Sequence, residues 1–132
     1  MRRFALVMAA LALAAAVARA DWNPQAFSGE QTLEFLTVEN GDQHWSTVWL
    51  VVIDGQVYIR LGSRAAGRME GNATKPYVQI RIAGQTFPKV KAESVPDMAG
   101  PVAKAMADKY WSDVFVRYFS HPLTMRLTAE TP

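Results

Sequence analysis

From Gln31 onward the chain alternates short apolar stretches with turn-forming residues, and the period is that of β-strands until Pro101. Gln31 to Glu39 carries Leu33, Phe35, Leu36 and Val38 before Asn40-Gly41-Asp42, and its aromatic and β-branched content predicts a strand ending in a turn. Trp45 to Ile53 is a nearly continuous apolar run, which predicts a central strand covered on both faces. Asp54-Gly55 follows at once. Type I′ turns need positive φ at both central residues, so this pair is the strongest hairpin signal in the chain. The return strand, Gln56 to Leu61, places Val57, Ile59 and Leu61 inward and Tyr58 and Arg60 outward.

Gly62 to Lys75 shows no apolar period and reads as a long loop of the kind that often carries function. Tyr77 to Ile82 alternates again, with Val78, Ile80 and Ile82 inward. Ala83-Gly84-Gln85 turns it into a strand over Phe87 to Val95, where Pro88 predicts an edge or a bulge. At Pro101 the period changes. Ala103, Ala107, Tyr110, Val114 and Tyr118 mark one helical face that Pro122 stops, with Ser112-Asp113 as a point where the helix could divide. Leu123 to Thr128 returns as a last strand. The expected architecture is mainly β: a small antiparallel barrel or roll of five or six strands with one or two helices.

Residues 1–20 follow another logic. Met1-Arg2-Arg3 is a positive start, Phe4 to Val17 an apolar run, and Ala18-Arg19-Ala20 a small-x-small site, the pattern of a signal peptide cleaved before Asp21. The expected layout is therefore a signal peptide over 1–20 and one domain over 21–132, periplasmic or secreted, with no membrane attachment after cleavage. The apolar run falls short of the ~20 residues of a spanning helix. Export also changes the charge. The whole chain is +2, but residues 21–132 hold 11 Lys and Arg against 12 Asp and Glu. A net charge near −1 argues against nucleic acid as partner, since phosphate neutralisation needs a sustained basic surface. The absence of cysteine excludes disulfide scaffolds, thiol nucleophiles and iron–sulfur sites.

The remaining positive charge is concentrated. Arg60, Arg64, Arg68 and Lys75 stand against Glu70 alone over residues 60–75, a local charge of +3, and guanidinium forks near glycine-rich backbone suit a phosphate. Solvated loop arginines are the plain alternative. The strings Trp45-Ser46-Thr47-Val48-Trp49-Leu50-Val51-Val52, Asp54-Gly55-Gln56-Val57-Tyr58-Ile59-Arg60, Asn72 with Pro76-Tyr77-Val78, Gly84, Lys109-Tyr110 and Thr124-Met125-Arg126-Leu127 go further. Over residues 35–128 the chain resembles the split-barrel flavin-binding superfamily of pyridoxamine-phosphate-oxidase-like and deazaflavin-dependent nitroreductase-like proteins. That resemblance implies a six-stranded antiparallel split barrel, a homodimer, and FMN or a deazaflavin in an interfacial groove. It implies Arg60, Ser63, Arg64 and Arg68 as the group that holds the cofactor's phosphate, in an oxidoreductase. The alternative reading is a non-catalytic exported binding or assembly module that has kept the barrel and lost the cofactor. The resemblance names no catalytic residue.

Other constellations are weaker. Asp42, His44, Ser46 and His121 include the residue types of a hydrolase triad without a nucleophile elbow, and the two histidines lack the carboxylate spacing of a metal site. Asn72-Ala73-Thr74 matches a glycosylation pattern that is common by chance. Trp45 and Trp49 share a strand face and are expected to fill the barrel or a subunit contact rather than stack on a ligand. A homodimer contact is expected to use one of them with the aromatic helix near Trp111 and Phe115, because so many aromatics are hard to bury in a small barrel.

Overall fold

A computed structural model describes residues 21–110 and 123–130. Its six strands are β1 (Thr32–Glu39), β2 (Asp42–Ile53), β3 (Gln56–Leu61), β4 (Tyr77–Ile82), β5 (Gln85–Ser94) and β6 (Leu123–Ala129). They close an antiparallel barrel in the order β1-β2-β3-β6-β5-β4. Among the described residues two α-helices accompany it: α1 (Ser63–Glu70) between β3 and β4, and α2 (Ala99–Tyr110) before β6. Among the described residues no helix is long and apolar enough to cross a membrane.

The turn chemistry sets the hairpins. Asn40-Gly41, Asp54-Gly55 and Ala83-Gly84 all have positive φ at both positions, which gives the twist that joins antiparallel neighbours through two residues. The alternating positions then fill the barrel. Leu33, Phe35, Leu50, Val57, Ile59, Leu61, Val78, Ile80, Ile82, Val90 and Leu127 are buried together. The irregular stretch before β1 closes part of this core: a short turn at Pro24–Phe27 buries Phe27, which meets Trp22 and Phe87 edge-to-face at 5.2 and 5.8 Å. Pro88 stands in a bulge, as expected. Between Ile80↔Phe87 and Val78↔Val90, β4 advances two residues and β5 three.

Two expectations are corrected. Residues 62–75 are not one long loop, since Ser63–Glu70 is helical. The helix was hidden because its buried side chain is Met69 and Gly67 lies in its middle, a residue that lowers helix propensity. The buried face of α2 is also displaced by one residue. Val102 and Met106, not Ala103 and Ala107, pack on Val51 and Tyr58 on the outside of β2 and β3. Larger apolar side chains bury more surface, so they set the helix rotation. Val114, Tyr118 and the division at Ser112-Asp113 lie outside the described residues.

β2 serves two neighbours along its length. Residues 42–49 pair with β1, and only residues 50–53 pair with β3. Leu50 stands at the changeover, one residue past the Thr32↔Trp49 pair, and α2 supplies the partners that β1 no longer provides. The Leu50 N–H donates to Tyr110 Oη at 3.1 Å, and Tyr110 Oη donates to the Gln31 carbonyl at 2.6 Å. Lys109 Nζ donates to the Leu50 carbonyl at 3.0 Å and also to that of Glu30. Burial pulls the Lys109 amine down from the ordinary lysine range, with Glu30 acting the other way. Burial pushes the Tyr110 phenol up, and its bond to Leu50 partly offsets this. Tyr110→Phe keeps the ring but leaves the Leu50 N–H and Gln31 C=O without it, so urea denaturation should show a loss of about 1–2 kcal/mol. An unchanged midpoint would mean that the clasp does not hold the strand.

Candidate functional site

Because β2 leaves β3 above Leu50, a gap opens between residues 44–49 of β2 and the segment where β3 runs into α1. A cleft of about 650 Å³ occupies it, lined by His44 to Trp49, Arg60, Gly62 to Ala65, Arg68 and Met106. All four residues expected at a phosphate site, Arg60, Ser63, Arg64 and Arg68, line this one cleft. The helix explains how: Arg64 and Arg68 are four apart on α1 and share a face, while Ala65, Ala66 and Met69 pack toward the barrel.

Asn72 anchors that helix. Its side-chain carbonyl accepts from the Val38 N–H at 3.0 Å, its amide donates to the Tyr77 carbonyl at 2.9 Å, and the next N–H, of Ala73, donates to the Val38 carbonyl at 2.7 Å. Asn72 is thus buried and engaged, which removes it as a glycan acceptor in the folded protein. Just before it, Gly71 lets the Glu39 carboxylate approach, since an added Cβ would stand 2.8 Å from it.

The electrostatics of the cleft are unusual for this chain. Outside it, Arg81 bonds Glu34 at 3.1 Å and Arg126 bonds Glu93 at 2.8 Å. Arg60, Arg64 and Arg68 have no carboxylate partner among the described residues, and no carboxylate lines the cleft. Nε and Nη1 of Arg60 are buried without any hydrogen-bond acceptor, and burial lowers the guanidinium from its ordinary value. A guanidinium keeps its proton across the physiological range regardless, so the charge stays in place. At the start of α1, Gly62 offers no capping side chain, and the first helical bond runs from the Ala66 N–H to the Gly62 carbonyl at 2.8 Å. The amides before it have no helical partner, and they add to the anion-attracting end.

One part of the expectation for the tryptophans is corrected: neither Trp45 nor Trp49 belongs to the barrel core. Both line the cleft; Arg81 lies over the Trp45 ring at 3.6 Å, and Trp49 stacks on Tyr110 with centroids 4.3 Å apart and planes 18° from parallel. Pairing with β1 puts both on the outer side of β2, opposite the row that contains Leu50. Ser46, considered above only for a triad, is buried in the cleft lining. Asp42 and His44 are exposed and no hydrogen bond joins them to Ser46, while His121 lies outside the described residues. Among the described residues no cluster of three acidic or histidine side chains is poised for a metal. Another depression, of about 570 Å³ near Glu30, Glu34 and Arg81, holds an arginine that is already paired.

The same architecture occurs in solved structures. HutZ, the heme storage protein of Vibrio cholerae, is similar over 82% of this chain and 88% of its own, with 20% identity and a TM-score of 0.62. An F420-H2 dependent reductase is similar over 75% of this chain and 94% of its own, at 10% identity and TM-score 0.58. A FAD-binding protein of Mesorhizobium loti covers 81% and 84%, at 11% identity and TM-score 0.56. The chain has their split-barrel fold. No family model matches the sequence, and no curated protein matches it.

In this split barrel Nε and Nη1 of the half-buried Arg60, without a partner among the described residues, cost the protein stability, because desolvated donors go unmatched. Arg60→Met keeps the stem and removes the charge, and should raise the unfolding free energy by about 1 kcal/mol in urea. A clear loss of stability would show that Arg60 is held by structure rather than kept for a ligand.

Proposed function

We propose that the protein binds a flavin-like, phosphate-bearing cofactor, FMN or a deazaflavin, in the cleft between β2 and α1. The observation that carries this reading is the set of three arginines in one cleft that have no carboxylate partner among the described residues, in a chain whose Arg81 and Arg126 are both paired. Arg60, Arg64 and the opening amides of α1 form a place for a phosphate, with Ser63 as a hydroxyl donor and Arg68 as a further charge. Trp45, Val48, Trp49 and Met106 offer apolar surface to a ring system. Described neighbours of this fold store heme, depend on F420-H2 or bind FAD, which supports a cofactor of this general kind.

A bound flavin or deazaflavin supplies hydride chemistry. The chain's own part is to hold the anionic end and screen the ring from water. The same site also suits a non-catalytic binding or assembly module, and a turnover assay with a reduced cofactor separates the two. The proposal includes export, supported by the signal-like pattern of residues 1–20. It also includes a homodimer in which a second copy covers Trp45 and Trp49 at the cleft. Trp111 and Phe115, expected at that contact, lie outside the described residues.

Titration with FMN, FAD, F420 and hemin should show retained absorbance for at least one, with affinity that falls as salt rises. Arg60→Ala should weaken it about ten- to a hundredfold, as expected for a lost charged hydrogen bond. Failure of all four to bind would overturn the reading. In sedimentation velocity over a micromolar dilution series the protein should run as a dimer, and a monomer at every concentration would remove the shared cleft.

A further inference from the structure

We propose that Arg81 is a positioning residue: it holds the Trp45 indole from the side away from the cleft, so that the other face of the indole stacks on the planar ring of the ligand. This inference rests on the binding reading above and adds how the ring, rather than the anionic end, is recognised.

The strand register sets the arrangement. β1 lies between β4 and β2 in the barrel. Glu34 of β1 stands opposite Arg81 on β4 and opposite Thr47 on β2, and Leu36, two residues on, stands opposite Trp45. Leu33 and Phe35 belong to the core, so Glu34, Arg81, Trp45, Thr47 and Trp49 share the outer face of the sheet. Arg60 is on that face too, because its neighbours Ile59 and Leu61 point into the core.

Arg81 reaches across β1 along this face. Its guanidinium donates to Glu34 Oε2 at 3.1 Å and lies 3.6 Å from the centroid of the Trp45 ring. At that distance it is in contact with the indole and covers one of its two faces. Trp45 lines the cleft, whereas Arg81 and Glu34 do not. The covered face is therefore the one away from the cleft, and the opposite face is presented to it.

The pair has little to do for the barrel. The Arg81 and Glu34 side chains are 43% and 40% exposed, and an ion pair in that setting adds little stability. Its consequence is the orientation of Trp45. An indole on an open sheet face samples several rotamers, and a ligand that stacks on it bears the cost of ordering it. A guanidinium anchored by a carboxylate removes part of that cost before the ligand arrives. Trp49, four residues further on, stands ~13 Å away along the strand, too far to close on the same ring from the other side. Trp45 and Arg81 thus act as one unit, separate from the arginines that hold the anion.

The test compares wild type with Arg81→Ala, Trp45→Leu and the double variant. FMN and F420 serve as ring probes and inorganic pyrophosphate as an anion probe, at physiological salt, which damps the effect of one distant charge. Trp45→Leu should weaken the ring probe about three- to tenfold and Arg81→Ala about two- to fivefold, with pyrophosphate bound as before. Because Arg81 acts through the indole, Arg81→Ala should cost nothing further once Trp45 is leucine. Losses that simply add in the double variant would overturn the proposal. Unchanged ring affinity in Arg81→Ala, or an equal loss for pyrophosphate, would overturn it too. So would a Trp45→Leu variant that changes from dimer to monomer in sedimentation and keeps its ring affinity, since the indole would then serve a subunit contact. Wild type that binds pyrophosphate but neither ring probe rejects the role of Arg81 and leaves the anion site standing; wild type that binds none rejects the binding reading itself and this inference with it.

Discussion

The cleft exists because β2 divides its pairing. A twelve-residue strand that matched β3 along its whole length would close the wall, and Arg60 would lie beside a neighbouring strand instead of a gap. Here β2 gives residues 42–49 to β1 and keeps only residues 50–53 for β3, so the sheet opens on the side where α1 begins. Such a change of partner exposes backbone groups at the joint. Tyr110 and Lys109 meet them at Leu50, Gln31 and Glu30, and the Tyr110 ring also stacks on Trp49 in the cleft wall. One short segment at the end of α2 therefore joins the split in the barrel to the shape of the site.

Charge is distributed to the same end. Glu34, Glu70, Glu93 and Asp108 each pair with a basic residue away from the cleft. These pairs are mostly exposed and contribute little to stability one by one. Their effect on the cleft is that these carboxylates are committed elsewhere, while three arginines share a pocket with no carboxylate among the described residues that line it. Like charges left together and partly desolvated oppose folding, and the buried Ser46 and Thr124 hydroxyls add to that cost. Unmatched donors kept in a cleft are the usual exchange of stability for function where a ligand is to be bound, as proposed here.

The resemblance implies Arg60, Ser63, Arg64 and Arg68 as a phosphate-holding group, and these four line one cleft in the fold. The segment that carries three of them is a helix rather than a loop, and this sharpens the site. A helix fixes Arg64 and Arg68 on one face, four residues apart, and Asn72 pins its far end to β1 through Val38.

The sequence by itself determined the strands and their faces. Hairpin turns need positive φ, so Asn40-Gly41, Asp54-Gly55 and Ala83-Gly84 were visible as residue types, and period-two alternation marked Val57, Ile59, Val78 and Ile80 as interior. Those signals are local, and local chemistry enforces them. Two things were decided by tertiary contact. The helix over 63–70 contains too few apolar positions to announce itself, and it is held by Met69 against the barrel and by Asn72 against β1. Ser46 was weighed only as a member of a triad, and Trp45 and Trp49 as filling for a barrel or a subunit contact. Their place in a cleft depends on where β2 stops pairing with β3, and that register is fixed by strands and a helix up to 60 residues away in the chain.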